Sequence, residues 1–554
     1  MPLKKSIKQF KLRPYQSEAI SAVIAARRRG VSRMIVALPT GAGKTVIFSE
    51  LARLAKRPVL VLAHRTELVQ QAAEKLGIAI GDPTLIAVEQ GAARAPVGVK
   101  VVVASIRSLG ESRLSKLLSS YDFGLIVYDE CHHSAADDNM RVLRSLGCFE
   151  ANWEGTLLGF TATTVRGDGL GLDAVFEEVV YNRGLMQMIS DGFLSPLRGF
   201  RIETAADLTG VLPAGGDLNV EQLAEAVDIT DRNALVARSI QELARDRRTI
   251  AFCVTVAHAK NLARSLNALG VPAGVVYGNL KTEDRAAVLN RFRAGKIQVL
   301  ANVGVLTEGF DDPGVSCIAM ARPTRSEGLY TQCVGRGTRL FDGKADCLVL
   351  DFVDLSDLSL MALPTLAGIP RDIDLEGENL EEVAERFHQL MFDYPGFELE
   401  AGAITLGEIQ DRAAAFDPLS MEVDPEVYAI SPNAWESLGS RGLALHFFKK
   451  RGDAGRGILS NFQILRKGRG ASKWHILLNG KKVAAFSKVE AAVEATDFEV
   501  AKLGGVAGSS AHASASWRRD PVPIQLKIRV EKARVKGSVD NWGDAVRVLG
   551  VVGG

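Results

Sequence analysis

The residues with the clearest chemical potential are Ala37-Leu38-Pro39-Thr40-Gly41-Ala42-Gly43-Lys44-Thr45. An apolar run precedes them and a helix-forming stretch follows. In that setting Gly41, Ala42 and Gly43 let backbone N–H groups curl around phosphate oxygens, and glycine tolerates the positive φ such a curl demands. A helix starting near Lys44 aims its positive end at the same anion. Lys44 reaches β- and γ-phosphates, and the Thr45 hydroxyl can ligate magnesium. The full pattern that begins with glycine is not met, but the compact Gly-x-Gly-Lys-Thr end sits in the required strand–loop–helix context. These residues make ATP and Mg2+ the expected cofactors.

A second group follows another apolar run, Phe123–Tyr128, which ends in Asp129-Glu130. Acidic residues just past a central strand face the crevice where parallel sheets bind ligands. Asp129 is expected to hold the magnesium, partly through water, and Glu130 to orient and deprotonate an attacking water. Two adjacent carboxylates repel unless a cation lies between them, so the phosphate loop and this pair support each other. His132 is placed to couple the pair to another domain. A third group, Gln332-Cys333-Val334-Gly335-Arg336-Gly337-Thr338-Arg339, carries two guanidiniums three residues apart. On a helix they share a face and can span the charge that develops on a transferred phosphoryl group.

These groups need rigid elements to bring them together. In residues 1–192 strands are expected at Met34–Leu38, Val59–Ala63, Val99–Ala104, Phe123–Tyr128 and Thr156–Phe160, with helices at Lys44–Ala55 and Glu67–Leu76. Residues 193–355 repeat the alternation, with strands at Thr249–Val254, Ala273–Tyr277, Ile297–Ala301, Val315–Met320 and Cys347–Leu350. Helices are expected there at Ala257–Leu269, Thr282–Ala294 and Gly328–Val334. Alternating strands and helices imply parallel sheets covered on both faces. If the arginines lie on the second domain, the site is complete only when the cleft between the domains closes.

The rest of the chain differs. Residues 356–430 read as an acidic linker and helical region. Its stretch 372–400 holds ten acidic residues against Arg386 alone and leads into a solvated helix near Glu381–Phe392. Residues 431–554 read as an accessory α+β region. Over 441–480 nine Lys or Arg residues face one acidic residue, Asp453, and Asn479-Gly480 suits a tight hairpin turn. Phe447, Phe448, Phe462 and Trp474 interleave with Lys449, Lys450, Arg466, Lys467, Arg469 and Lys473. That pattern suits either base stacking with phosphate contacts or a small core with a charged outer face. Trp435, Trp517 and Trp542 read as structural. Residues 501–516 read as a flexible link, and Ile524–Val535 as a last helix.

With 554 residues the chain exceeds one hydrophobic core. The formal net charge is only +2, so a nucleic-acid partner must be held by local basic patches. The six cysteines form no Cys-x-x-Cys pair and read as buried thiols of a reducing compartment. No apolar run reaches membrane-spanning length, and the cytoplasm is the expected location.

Taken in order, the motifs resemble those of superfamily 2 helicases in the DEAD/DEAH-related branch, most of all the XPB-like and RadD-like bacterial DNA helicases. The resemblance spans about residues 10–355 and implies two tandem RecA-like parallel-sheet domains followed by a smaller α+β C-terminal region. Arg13 and Gln16 of Leu12-Arg13-Pro14-Tyr15-Gln16 match the element that recognises adenine. Gly41, Gly43, Lys44 and Thr45 match motif I, and Asp129-Glu130-Cys131-His132 matches motif II. Arg65, in Ala63-His64-Arg65-Thr66-Glu67-Leu68, and Arg107, in Ala104-Ser105-Ile106-Arg107-Ser108, match elements near the nucleic-acid backbone. Thr161-Ala162-Thr163 matches motif III, where Thr161 and Thr163 couple hydrolysis to the track. Thr307 of motif V is implied to touch backbone phosphate and Asp311 to face the nucleotide. Gln332, Gly335, Arg336 and Arg339 match motif VI, with Gln332 on the nucleotide.

The implied activity is ATP hydrolysis to ADP and phosphate, coupled to movement along DNA or its remodelling in repair or recombination. Single-stranded or forked DNA is the expected partner, with the protein a monomer on its track. An RNA track, a clamp without processive motion, and a translocating subunit with restriction, repair or defence partners stay open.

Overall fold

In the computed structural model, the described residues are 12–63, 66–134, 136–162, 172–307, 310–356, 358–394, 397, 399, 404–416, 423–439, 441–449, 458–467, 473–503, 509–533 and 539–552. The expected sites Arg65 and Thr163 lie outside them. The chain divides into two compact units, Met1–Ala384 and Glu385–Gly554.

The first unit holds two RecA-like domains. In the first domain, β1 (Arg33–Ala37), β2 (Val59–Ala63), β3 (Ile86–Glu89), β4 (Val101–Ser105), β5 (Leu125–Asp129), β6 (Thr156–Thr161) and β7 (Glu178–Asn182) form one sheet, ordered β3-β4-β2-β5-β6-β1-β7. Every pairing in it is parallel. Strands β2, β4 and β6 are buried along their whole length, which is why they read as continuous apolar runs rather than as alternation. Three helices flank the site: α1 (Pro14–Arg28), α2 (Lys44–Leu54) and α3 (Thr66–Ile80). Pro14 stands at the start of α1, where its missing N–H costs nothing. On α2, Ile47, Phe48, Leu51 and Ala52 are buried, and each of the three larger side chains contributes about 1.5–3 kcal/mol to that docking.

The second domain uses β8 (Leu197–Asp207), β11 (Thr249–Phe252), β12 (Ala273–Tyr277), β13 (Val299–Val303), β14 (Cys317–Met320) and β15 (Cys347–Leu355), in the order β12-β13-β11-β14-β15-β8 and again all parallel. A small hairpin, β9 (Pro213–Ala214) and β10 (Asp217–Leu218), interrupts the chain order. The helix Thr230–Leu243 is tied to β15 by Arg232, whose guanidinium donates two hydrogen bonds to Asp354, at 2.7 and 2.8 Å, with both side chains buried.

The sequence reading missed β3, β7 and β8. The first strand of the second domain is β8, an edge strand that alternates buried and exposed positions and carries Arg198, Arg201 and Glu203. The acidic stretch is corrected as well. Its helix runs Leu380–Asp393, and Leu380, Val383, Ala384, Phe387 and Leu390 are buried at helical spacing, so it is amphipathic rather than solvated.

The second unit contains a five-stranded antiparallel sheet made of Trp435–Ser437, Gly442–Lys449, Ile458–Arg466, Trp474–Leu478 and Lys481–Phe486. Asn479 and Gly480 form the expected turn, with φ of +47° and +80°. Phe447 and Phe462 stack at 5.6 Å and are buried with Trp435 and Ile464, which settles these two aromatics as core rather than base-stacking groups. Phe448, the next residue on its strand, faces the opposite side and meets Trp517 and Trp542. The last two helices are Ile524–Lys532 and Trp542–Val552. Among the described residues no helix is long and apolar enough to cross a membrane.

Candidate active site

The strand order places three strand ends side by side: β1 leads into the glycine loop, β6 ends at Thr161, and β5 ends at Asp129. Gly41 and Gly43 adopt φ of +87° and +72°, as the curled loop requires. A Cβ at Gly43 would also lie 2.8 Å from the side-chain amide nitrogen of Gln16, so Gln16 would have to shift to admit it. Gln16 in turn accepts the Arg13 backbone N–H at 2.9 Å, and the Tyr15 hydroxyl donates to the Ala42 carbonyl at 2.6 Å. Helix α1 therefore braces the loop from behind. Phe193 closes that side: it packs on Tyr15 at 4.7 Å, lies 6.0 Å from the Arg13 guanidinium, and its carbonyl accepts from Arg13 at 3.2 Å.

Facing the loop, Lys44 Nζ lies 3.2 Å from Glu130 Oε1, with both side chains largely buried. Glu130 itself holds a left-handed backbone at φ +54°, unusual for a residue with a side chain, which turns the chain abruptly after β5. His132 Nδ1 lies 3.5 Å from Glu130 Oε2 and 3.4 Å from the Thr161 hydroxyl. A polar chain Lys44–Glu130–His132–Thr161 thus runs along the strand ends. Cys131 is buried, and burial first, then the Glu130 carboxylate, push its thiol well above the usual range. It acts as a small apolar filler.

The second domain supplies the opposite wall. Arg13, Thr40, Gly41, Gly43, Lys44, Thr45, Asp129 and Glu130 line a cleft of about 310 Å³ together with Asp311, Arg336 and Arg339. The approach is close: a Cβ on Gly335 would lie 2.9 Å from Thr40 Cβ, and one on Gly41 would lie 3.0 Å from Arg339 Cγ. Arg339 donates to the Phe310 carbonyl at 3.0 Å and pairs with Asp311 Oδ1 at 3.0 Å. Arg336, 4% exposed, donates to the same Phe310 carbonyl at 3.0 Å and to the Thr307 carbonyl. Burial alone raises the Asp311 carboxyl, but Arg339 and then Lys75 outweigh it and hold it below its ordinary value. Burial lowers the Arg339 guanidinium, against the pull of Asp311 and Asp312.

One expectation about the arginines is corrected. Their helix, Glu327–Val334, ends before either of them, so they do not share a helix face. The helix closes at Gly335, and a Cβ on Gly337 would collide with Cys347 Sγ at 2.2 Å, so the turn presses on the sheet. The two side chains converge through the common Phe310 carbonyl instead.

Other expected residues are placed differently. Gln16, Ala42 and Gln332 are buried outside the cleft lining, and the Ala42 N–H donates to the Pro39 carbonyl at 3.3 Å. Thr307 is 7% exposed and its hydroxyl donates to the Gly304 carbonyl at 3.3 Å. Arg107 stands exposed on the short helix Ile106–Ser108, at the end of β4. The sequence reading did not single out Phe193, Lys75 or Gln71, all of which line the cleft. Lys75 was signalled only by its place on the helix after β2.

The arrangement can hold a polyphosphate at the α2 terminus between one lysine and two arginines. Among the described residues no group of three His, Cys, Asp or Glu side chains is disposed to hold a metal ion. Thr45 and Asp129 lie on the same wall, so a hard cation would complete its shell with phosphate oxygens and water, as magnesium prefers.

Known proteins share this plan. The family described as Type III restriction enzyme, res subunit, matches residues 9–166, and the helicase conserved C-terminal domain matches residues 231–340. Over 450 residues the chain is 33% identical to the protein named mitochondrial ATP-dependent helicase irc3 of Schizosaccharomyces pombe, which covers 80% of this chain and 73% of that one. Over 390 residues it is 31% identical to the ATP-dependent helicase IRC3 of Saccharomyces cerevisiae, covering 67% of this chain and 56% of the relative. In fold it is similar to the fragment structure of a type I restriction enzyme HsdR subunit from Vibrio vulnificus YJ016, with a TM-score of 0.50 at 22% identity over 67% of this chain and 70% of that one. With both helicase domains matched and a cleft of this kind between them, the chain belongs to the superfamily 2 helicases and is an ATP-dependent enzyme acting on nucleic acid.

Proposed function

We propose that this enzyme is a DNA helicase or translocase that couples ATP hydrolysis to movement along DNA or its remodelling, in repair or recombination. The observation that carries the coupling is Arg339 of the second domain pressed against Gly41 of the first, so the site is assembled from both domains. The motif resemblance to XPB-like and RadD-like DNA helicases supports DNA as the track, and so does the match to a restriction-enzyme subunit family. The same match favours a second reading, a translocating subunit of a restriction or defence assembly.

In this reading Arg13, Gln16 and Phe193 hold the base side of ATP, and Gly41, Gly43 and Lys44 hold its phosphates. Thr45 and Asp129 hold Mg2+, which when bound supplies charge neutralisation at the phosphates. Lys44 exchanges its Glu130 partner for phosphate oxygens, and that exchange frees Glu130 Oε1 to accept a proton from water. Arg336 and Arg339 stabilise charge on the transferred group from the far wall. Glu130, His132 and Thr161 relay the state of the site along the strand ends, and the motif resemblance adds Thr163 to that role. Asp311 orients Arg339. The motif resemblance assigns Arg65, Arg107 and Thr307 to the track, and contacts of that kind read backbone rather than bases, so binding weakens steeply with salt.

The test is the rate of ATP hydrolysis with single-stranded DNA, duplex DNA, forked DNA and RNA over a range of salt concentrations. DNA is expected to stimulate and RNA not. Strong stimulation by RNA alone overturns the DNA assignment. Copurification with a nuclease or methyltransferase favours the assembly reading.

A further inference from the structure

The second unit carries a cavity of about 890 Å³ that the motor chemistry does not use. Its walls include Phe448, Trp517 and Trp542, whose ring centroids lie 5.1 to 5.7 Å apart. All three are half-buried, so each keeps ring surface open. Ser516 and Asp520 add polar groups beside the rings.

The walls are held firmly. The Trp517 indole N–H donates to the Ser510 carbonyl at 2.8 Å. The Arg518 guanidinium lies 4.5 Å from the Trp517 ring, donates to Glu436 at 3.1 Å and to the His446 carbonyl at 3.0 Å, and so anchors the wall to the sheet. Glu436 is buried. Burial raises its carboxyl, but His446, at 2.7 Å, and Arg518 outweigh that and hold it low, as an ion. An anchored, partly open set of three large rings costs water contact and is more than a small sheet needs for its core, which lies on the other face around Phe447 and Phe462.

The charge next to the cavity is positive. Over residues 517–533 five basic side chains stand against Asp520 and Glu531. Arg519, Lys527, Arg529 and Lys532 are exposed, on the turn that forms the wall and on the helix that follows it.

We propose that Phe448, Trp517 and Trp542 receive a nucleobase unstacked from a nucleic-acid strand whose phosphates rest on this basic segment. Stacking is tolerant of base identity, while the cations follow the backbone. Asp520 and Ser516 can accept hydrogen bonds from exocyclic base amines. The proposal adds base stacking to the structural role read for Trp517 and Trp542 and makes this unit a grip that needs bases, unlike the backbone-reading motor.

The test uses the full chain without ATP and measures anisotropy of a labelled oligothymidylate and of an abasic strand of equal length. The wild type is expected to bind the abasic strand about ten-fold more weakly. Trp542→Leu is expected to lose about ten-fold on oligothymidylate and nothing further on the abasic strand, with ATP hydrolysis in the absence of nucleic acid unchanged. Equal binding of both strands by the wild type overturns the proposal. So does a proline-rich peptide that quenches the tryptophans without competition from oligothymidylate. If Trp542→Leu does not fold, photocrosslinking of a 5-bromouracil strand to the wild type decides: adducts on Phe448, Trp517 or Trp542 support the pocket, and adducts only elsewhere overturn it. Retained ATP response to nucleic acid with failed base dependence would sink this pocket while leaving the motor assignment intact.

Discussion

Lys75 on α3 and Asp311 of the second domain form an ion pair of 3.0 Å across the nucleotide cleft, and the other Asp311 oxygen holds Arg339 at 3.0 Å. One carboxylate therefore ties the first domain to an arginine of the second. Because both partners are about two-fifths exposed, the pair is worth only about 0–1 kcal/mol. Lys75→Ala is expected to open the cleft modestly and raise KM for ATP by roughly two- to five-fold. Fluorescence transfer between labels on the two domains checks it, and an unchanged distance distribution contradicts the bracing role.

Glu130→Gln keeps the shape of the acidic residue and removes the base. Hydrolysis is expected to fall by about 100-fold or more, while ATP binding persists. Single-turnover hydrolysis alongside equilibrium binding of a labelled nucleotide separates the two. Normal turnover removes Glu130 from its role.

The two arginines differ in burial and hence in their second effect. Arg336→Ala and Arg339→Ala are each expected to slow hydrolysis by about 1000-fold or more. Only Arg336→Ala should also lower the melting temperature, because it leaves the Thr307 carbonyl without its guanidinium partner in a buried site. Equal melting of both variants would count against this account.

Arg232 and Asp354 are fully buried, and removal of one partner strands the other's charge. Arg232→Leu is expected to cost about 3–5 kcal/mol of stability, read by urea unfolding. A loss below 1 kcal/mol, on the scale of about 0–1 kcal/mol typical of exposed pairs, would contradict it.

His258 sets a pH dependence in the same domain. Its Nδ1 accepts the Val254 N–H at 3.2 Å, which requires the neutral ring. Burial, then Arg232, lower its pKa from 6.5 to about 4, against the opposing charge of Asp228. The folded value is depressed, so its contribution to stability is complete above pH 6.5 and is lost as the pH falls through that value toward 4. Urea midpoints should fall between pH 7 and pH 4.5, and His258→Gln should flatten the curve.

What the sequence disclosed follows from how local each constraint is. Gly41, Gly43 and Lys44 are dictated by a few consecutive backbone angles, so their types reveal them. Asp129-Glu130 follows a fully apolar strand, which marks the end of a buried element. Strand β8 was illegible because an edge strand with one open face keeps charged residues and lacks the apolar run of its neighbours. Phe193 and Lys75 gain their places only by packing against residues 178 and 236 positions away, Tyr15 and Asp311. The arginine spacing suggested a helix face, but the helix ends at Val334 and a shared carbonyl does the gathering.

That shared acceptor has a consequence for both arginines. The Phe310 carbonyl anchors both Arg336 and Arg339, and its neighbour Thr307 anchors Arg336 again. A rotation of that one peptide plane loosens both cations together, while Thr307 still holds Arg336 and Asp311 still holds Arg339. The two positive charges of the cleft wall are therefore linked through one acceptor, and each also keeps a separate hold on its own residue.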